Sequence, residues 1–236
     1  MTRNRRVILI ASVIGLAILA SWAGWRSLSR RTDPQIRSQI VAPLAPPEGF
    51  ARAEGPREFK FPADHGPHPS FQTEWWYYTG NLETDAGRRF GYQLTFFRRA
   101  LVPPDQGKSR TSNWAADQVY MAHFAVTDAE DNTHRAFERF SRGAAGLAGA
   151  QGSPYRVWLE DWTVVQIGDR SGTVEMRAGQ EDFAVDLRLD DQKGPILQGD
   201  RGYSRKGPAP GNASFYYSQT RLRTRGTGRS GGATFA

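Results

Sequence analysis

Apolar and polar residues alternate with a period of two in much of the chain beyond Phe59, and this pattern constrains the fold more than any other feature. The segment 183–189 shows it most clearly, with apolar side chains at every odd position. Successive side chains of a β-strand point to opposite faces, so such segments are typical of strands with one packed face and one wet face. Outside the first 26 residues, no long window shows the 3.6-residue period of an amphipathic helix.

Turn-forming residues separate these segments, as at 84–87, 128–132 and 168–172. Candidate strands therefore follow one another at spacings of about ten residues. The 236-residue chain is 12% aromatic, and its 25 Gly and 14 Pro suit short strands joined by many turns. We expect an all-β fold, either an antiparallel barrel or a sandwich, preceded by one hydrophobic N-terminal helix.

The amino terminus has the pattern of an export signal or a membrane anchor. Three arginines precede an unbroken apolar run over 7–25, and a run of this length can span a bilayer as a helix. We predict a signal peptide or anchor over 1–26. The protein is then exported to the periplasmic side, and residues 7–25 anchor it in the inner membrane if they are not cleaved. Residues 27–58 are rich in proline and lack apolar periodicity, which predicts a linker.

The net charge of +7 is concentrated at the two ends of the chain. Residues 201–236 carry seven Lys or Arg and no acidic residue, which leaves the segment 26–200 slightly acidic. A nucleic-acid-binding domain normally presents a basic body, so we expect no nucleic-acid partner. The basic end is suited instead to anionic lipid or to another protein.

Several classes of chemistry lack their characteristic residues. The chain has no Cys, which excludes disulfides, thiolate metal sites and cysteine nucleophiles. It also lacks the Gly-x-Ser-x-Gly elbow of serine hydrolases and a phosphate-binding loop. His65 and His68 lie in a Pro/Gly-rich turn rather than on a rigid helix, so we predict neither a metal site nor a cofactor.

Glu74 is the first candidate for a catalytic residue. It directly precedes four aromatic residues, and by alternation it shares a strand face with Trp76 and Tyr78. Desolvation among aromatic rings favours the neutral form of a carboxyl group, which can then donate a proton. The alternative is that Glu74 forms an ion pair with an arginine such as Arg98.

His123 and Asp128 are the other polar candidates for catalysis. His123 lies on a predicted strand over 118–127, on the face opposite Tyr120 and Phe124. It is either a hydrogen-bonded, half-buried histidine or a titratable group in an apolar cavity. Aromatic side chains would line such a cavity. The predicted ligand-binding residues are Trp75, Trp76, Tyr77, Tyr92, Phe96 and Tyr217.

Four blocks of the chain match, in the same order, sequence blocks of a known family. The blocks are His68-Pro69 with Gln72–Leu82, then Phe90–Arg98, Tyr120–Asp128 and Tyr216–Leu222. They resemble the signature of the carotenoid 1,2-hydratase and AttH-like family, and the resemblance covers roughly residues 59–227. The Glu-Trp-Trp-Tyr-Tyr stretch alone is already unusual.

The resemblance implies a lipocalin-like β domain over 59–227, in a family whose members usually have two such domains and are usually exported. Some members add water to the terminal double bond of acyclic carotenoids without a cofactor. Others are described as predicted secreted hydrolases or occur beside ABC-type export permeases.

We therefore expect an exported lipocalin-like protein that binds an apolar, isoprenoid or lipid-like ligand in an aromatic-lined cavity, with an ABC-type permease as a candidate partner. The alternative is a cofactor-independent hydratase or hydrolase of a hydrophobic substrate. In a hydratase of this kind, a carboxylic acid protonates the alkene and aromatic faces stabilise the cation.

The end of the chain departs from the family pattern. Longer members continue after the Tyr-Tyr-Ser block into a second β domain with a Trp-x-Asp-x-Glu segment, which this chain lacks. We therefore expect a C-terminal truncation. Residues 228–236 are predicted to form a disordered tail, because they are small and polar and show no apolar alternation. If the missing half carries the catalytic acid, the chain is inactive as a hydratase on its own.

Overall fold

The computed structural model describes residues 48–106, 112, 114–168 and 172–236, and antiparallel strands dominate them. A one-turn 3-10 helix, Ala63–His65, precedes the strands. The strands are β1 Thr73–Glu83, β2 Arg89–Ala100, β3 Gln118–Asp128, β4 Thr133–Arg142, β5 Ala148–Gly152, β6 Tyr155–Leu159, β7 Trp162–Gln166, β8 Thr173–Gln180, β9 Phe183–Asp191, β10 Ile196–Leu197, β11 Tyr203–Arg205, β12 Ala213–Phe215, β13 Tyr217–Ser218, β14 Leu222–Ser230 and β15 Ala233–Phe235. The all-β prediction is confirmed, and the segment with the clearest alternation forms β9.

The strands form two large antiparallel sheets. The front sheet is a meander in the order β1-β2-β3-β4, and the back sheet has the order β15-β14-β9-β8-β7-β6-β5. Two short ladders, β10 with β13 and β11 with β12, lie in the segment between β9 and β14. Neighbouring strands of a meander need only short turns, which agrees with the turn signals in the sequence.

The inward faces of the two sheets meet in one hydrophobic core. Phe96 and Phe124 of the front sheet and Trp162 and Leu187 of the back sheet are completely or almost completely buried in it. The rings of Phe124 and Trp162 meet edge to face at 5.6 Å. Burying each such side chain contributes about 1.5–3 kcal/mol. Packed side chains fill this interior, so the accessible polar groups described below lie at one end of the sandwich.

The predicted disordered tail is wrong in this structure. Strand β14 continues to Ser230, and after a turn at Gly231 and Gly232, both with positive φ, the chain returns as β15. Two consecutive glycines of this conformation suit a tight hairpin. The ring of Phe235 stacks on Phe90 at 3.8 Å, in a space that a Cβ on Gly228 would fill. Gly228 leaves space for the ring because it has no side chain. A search for alternating apolar residues therefore does not detect this strand pair.

The predicted linker is wrong over the part that the structure describes. Ala51 forms a parallel bridge with Phe71, and Ala53 is buried. Residues 48–58 therefore pack against the domain and do not form a separate linker before it. The remainder of the predicted linker, 27–47, and the predicted hydrophobic helix over 1–26 lie outside the described residues. Within the described part of the chain, no helix is long and apolar enough to cross a bilayer.

Candidate functional site

The segment that precedes β1 is held against one end of both sheets. The indole Nε1 of Trp76 donates to the carbonyl of His65 at 3.0 Å, which ties the segment to β1. On the other side, a Cβ on Gly66 would lie only 2.5 Å from the Cα of Gly152, at the end of β5. Because glycine permits this approach, the polar residues 64–68 lie between the two sheets at this end.

Five charged or titratable side chains form the His68 network, which consists of Arg57, Asp64, His68, Glu74 and Arg98. The imidazole Nε2 of His68 lies 2.7 Å from Asp64 Oδ1, and Nδ1 lies 2.8 Å from Glu74 Oε1. Arg57 Nη2 donates to Asp64 Oδ1 at 2.7 Å, and Arg98 Nε donates to Glu74 Oε2 at 2.8 Å. The backbone N–H of His68 also donates to Glu74 Oε1 at 2.7 Å. Both carboxylates are therefore surrounded by donors.

The charges of this network follow from its hydrogen bonds. The hydrogen bond to Glu74 raises the pKa of His68 against the opposing effect of burial, and Asp64 adds to the increase. Burial acts to raise the pKa of Asp64, but hydrogen bonds from Arg57, the Lys60 N–H and His68 outweigh it and hold this pKa below its ordinary value. His68 is thus stabilised as a cation between two carboxylates.

Next to this network lies the His65 cluster, which we define as Phe59, Phe61, His65, Tyr155 and Tyr217. His65 Nδ1 lies 2.8 Å from the hydroxyl oxygen of Tyr217. The Phe61 ring lies 4.9 Å from the imidazole and 4.8 Å from the Tyr217 ring. All members except Tyr155 are half-buried. The cluster therefore offers an aromatic surface with one polar pair inside it.

The His65–Tyr217 pair is neutral near pH 7. Burial lowers the pKa of His65, although Asp191 and Asp64 partly oppose this. Burial also raises the pKa of Tyr217 far above its ordinary value. A neutral imidazole can accept a proton, and a neutral phenol can donate one. The pair thus combines a proton acceptor and a proton donor at an apolar surface.

Tyr155 connects the His65 cluster to a buried pair of tyrosines. The hydroxyl groups of Tyr78 on β1 and Tyr155 on β6 lie 2.6 Å apart, so they link the two sheets directly. Burial raises the pKa of both phenols, which keeps them protonated. Each buried hydroxyl thereby has a partner, which removes most of the cost of its desolvation.

A cleft of about 360 Å³ lies next to the segment that precedes β1, beside Pro67, Pro69 and Arg98. Its polar lining comes from Arg98, Gln118 and Tyr120, and its apolar lining includes Pro67 and Trp158. Burial raises the pKa of Tyr120 to about 12, although Arg98 opposes the increase. The hydroxyl of Tyr120 donates to Gln118 Oε1 at 3.1 Å.

The strand-face prediction for Glu74 is confirmed. Trp76 and Tyr78 share its inward face, whereas Trp75 and Tyr77 are exposed on the outer face at 38% and 52%. Of the two alternatives for Glu74, the structure shows the ion pair with Arg98. Donors surround both of its oxygens, so Glu74 is placed as a hydrogen-bond acceptor rather than as a proton donor to a ligand.

His123 and Asp128 are not brought to this site. His123 faces outward and pairs with Glu138 at 3.0 Å on the exposed side of the front sheet. Asp128 is buried, but it pairs with Arg88 at 2.5 Å at the opposite end of β3. It lies eight residues along the strand from Tyr120, which corresponds to about 26 Å. The structure therefore does not support a joint catalytic role with Glu74.

The predicted ligand-binding residues are divided among three places. Tyr92 and Phe96 belong to the packed core, together with Trp76. Trp75 and Tyr77 lie on the outer face, where Trp75 is 6.4 Å from the ring of Tyr216. Tyr217 alone is a member of the His65 cluster. The six residues therefore do not line one cavity.

The sequence does not mark His65 and His68 as candidates for a functional site, because their turn lacks the rigid spacing of a metal site. In the described residues, no group of three or more His, Asp or Glu is arranged to hold a metal ion. One sequence feature does point to the two histidines: they lie just before the block Gln72–Leu82, which contains Glu74. A turn directly before an edge strand can fold back over the end of the sheet.

Comparisons with known proteins identify relatives of this chain. The AttH-like family matches residues 52–236. The crystal structure of a protein described as an AttH from Nitrosomonas europaea has 35% sequence identity and a TM-score of 0.67, over 79% of this chain and 54% of that chain. No curated protein matches the sequence.

A second solved structure shares the fold alone. Kievitone hydratase from Nectria haematococca has 9% identity and a TM-score of 0.53, over 79% of this chain and 49% of that chain. This chain thus spans about half the length of the solved structures that it matches.

Proposed function

The chain belongs to the AttH-like family, and from this premise we propose that its lipocalin-like domain binds an apolar small molecule at the His65 cluster. The observation that carries the proposal is the half-buried aromatic surface of Phe59, Phe61 and Tyr217 around a neutral imidazole. Aromatic surfaces bury a large area with little loss of side-chain entropy, and the polar pair can fix the orientation of a ligand. An isoprenoid is a suitable ligand class, since it is apolar and unsaturated.

Photo-crosslinking tests this binding directly. The full chain in neutral detergent is incubated with a geranylgeranyl alcohol that carries a diazirine, irradiated and digested for mass spectrometry. We expect crosslinks on peptides that contain residues 59–65 and 217. Phe61→Ala should reduce them at least fivefold, because Phe61 contacts both His65 and Tyr217. Phe140→Ala is the control, since Phe140 is 65% exposed on the outer face of β4. Equal labelling of the two variants would reject the site.

A second candidate function, hydration of the bound ligand, is favoured by the His65–Tyr217 pair. Hydration of a double bond needs an acid that protonates one carbon and a base that takes a proton from the water that adds to the other carbon. A hydratase with this fold is known, although it shares only 9% identity with this chain. We infer that the Tyr217 hydroxyl is the acid and His65 the base, and that the 2.8 Å hydrogen bond between them returns the proton to Tyr217 after the addition.

Isotope incorporation separates hydration from binding. The full chain is incubated with geranylgeraniol in water enriched in oxygen-18, and the product is analysed by mass spectrometry. If hydration occurs, His65→Gln and Tyr217→Phe should each lower it about 100-fold or more, and Tyr216→Phe should leave it unchanged. Absence of label in the product of the wild-type chain would remove the hydratase function while leaving the binding proposal intact.

We also propose that the protein is exported and held at the inner membrane by residues 7–25, close to an ABC-type permease. The apolar run and its preceding arginines support this proposal. Fractionation of cells that express the tagged full chain tests it. Recovery in the cytoplasmic soluble fraction would contradict it.

A further inference from the structure

In the cleft beside Arg98, one donor of the guanidinium group is available to a ligand. The Arg98 side chain is 1% exposed and yet lines the cleft. Its Nε donates to Glu74, and its Nη2 donates to the carbonyl oxygens of His68 and Phe71 at 3.1 and 2.5 Å. Its Nη1 has no hydrogen-bond partner among the described residues. Nη1 is not among the buried side-chain atoms that lack a partner, so it keeps access to solvent and can donate to a ligand in the cleft.

The surrounding charges do not cancel. Both ring nitrogens of His68 face carboxylate oxygens, which requires an N–H on each of them when Asp64 and Glu74 are ionised. The His68 network then contains three cations, Arg57, His68 and Arg98, and two anions. One positive charge is left in a partly buried place next to the cleft, where an anion would be stabilised.

Opposite the polar lining, the cleft has an apolar wall. Trp158 donates from Nε1 to the carbonyl of Gly146 at 2.9 Å, and its ring covers Gly149 so closely that a Cβ there would lie 2.5 Å from it. Pro67, Pro69 and Ala148 complete the apolar wall. The volume of about 360 Å³ is at the lower end of the range for small-molecule sites.

From this geometry we propose that the cleft is a second binding site, distinct from the His65 cluster, for a small amphipathic carboxylate. Arg98 Nη1 binds the carboxylate group, and Trp158 and the prolines pack against the apolar body. The binding site is selective for ligands that combine one negative charge with a short apolar group. It does not depend on whether the His65 cluster binds or hydrates an isoprenoid.

A pair of matched ligands tests the charge requirement without any mutation. The probes are 4-phenylbutyrate and its neutral analogue 4-phenylbutyramide, titrated into the full chain in neutral detergent by isothermal calorimetry. We expect the carboxylate to bind at least tenfold more tightly than the amide. Inorganic phosphate, which is charged but has no apolar body, should bind at least tenfold more weakly than the carboxylate. Equal affinity of carboxylate and amide would overturn the proposal, as would equal affinity of phosphate and carboxylate.

One substitution places the test in the cleft. Gln118→Glu adds a negative charge to the lining and leaves an oxygen that can still accept from Tyr120. We expect it to weaken 4-phenylbutyrate binding about tenfold or more through repulsion. The matched control is Gln93→Glu, which adds the same charge to the outer face of β2. Gln93 pairs with Ala125, seven residues from Gln118 along β3 or about 23 Å, where screening removes the effect.

The two variants also distinguish a local effect from a general one. Thermal melts of both should match the wild type within a few degrees, because both side chains are only half-buried. Unchanged binding in Gln118→Glu would overturn the assignment of the cleft. An equal loss in Gln93→Glu would overturn it too, because the effect would then come from the net charge.

Discussion

His65 and His68 lie three residues apart in the chain, but their surroundings favour opposite charge states. His65 is placed among aromatic rings, where burial lowers its pKa, and the one hydrogen-bond partner that its imidazole has in the described residues is a neutral phenol. His68 lies between two carboxylates, and the hydrogen bond to Glu74 raises its pKa. The comparison shows how one short turn can supply a proton acceptor on one side and a fixed cation on the other.

The two sides also differ in what they stabilise. The His68 network ties the turn to β1 and β2 through Glu74 and Arg98. The His65 cluster ties the same turn to β13 through Tyr217. Removing one partner of a buried ion pair leaves the other charge without compensation, which strongly lowers the free energy of unfolding. A single hydrogen bond between neutral groups contributes less to that free energy. Variants on the His68 side should therefore affect stability more.

Removal of Arg98 should have the largest effect. Arg98→Met leaves Glu74 and two carbonyl groups without their buried donor, and we expect the free energy of unfolding to fall by about 3–5 kcal/mol. Arg99→Met is the control, since Arg99 is exposed on the other face of β2 and should change stability by less than about 0.5 kcal/mol. Denaturant unfolding measures both. Similar losses in the two variants would contradict the central role given to Arg98.

The pH dependence of stability should separate the two histidines. The folded-state pKa of His68 is raised, so its stabilising contribution is present below the unfolded pKa near 6.5 and is lost as pH rises through the folded value. The folded-state pKa of His65 is lowered, so its contribution is present above about 6.5 and is lost as pH falls through the folded value.

His68→Gln should therefore flatten the stability curve on the alkaline side, and His65→Gln should flatten it on the acidic side. Unfolding free energies measured from pH 5 to pH 9 test this, with His134→Gln as a control on the exposed end of β4. Flattening on the same side in both variants would show that the two environments do not differ.

The smallest effect is expected from the hydroxyl of Tyr217. Tyr217→Phe removes one hydrogen bond to His65, which should lower the free energy of unfolding by about 1 kcal/mol. The titration of His68 should not change, because Tyr217 makes no hydrogen bond to the His68 network. Tyr216→Phe serves as the control. A shift of His68 in Tyr217→Phe would mean that the two sides are coupled.

The sequence predicts strand faces well, because alternation is a local property. It assigned Glu74, Trp76 and Tyr78 to one face and Trp75 and Tyr77 to the other, and the structure agrees. It also named Arg98 as one partner of Glu74. The sequence alone left that ion pair as one of two alternatives, because pairing across β1 and β2 depends on register.

The features that the sequence predicts wrongly or misses are set by tertiary contacts, and a local alternation pattern carries no information about such contacts. Asp128 and Glu74 are both predicted as catalytic candidates, but the register places them at opposite ends of the front sheet. The hairpin of β14 and β15 uses glycine as the space for Phe235, so it has no apolar signature. The side chains of the turn over 63–68 reach their partners in the His68 network and the His65 cluster only when the turn folds against the end of the sheets.

The most direct test of the comparison is a titration of the imidazole signals by NMR in the full chain, with selectively labelled histidine. His65→Gln and His68→Gln assign the two signals. We predict a midpoint below 6.5 for His65 and above 6.5 for His68. If the two midpoints coincide, or if their order is reversed, the account of one turn with a neutral base and a fixed cation is contradicted.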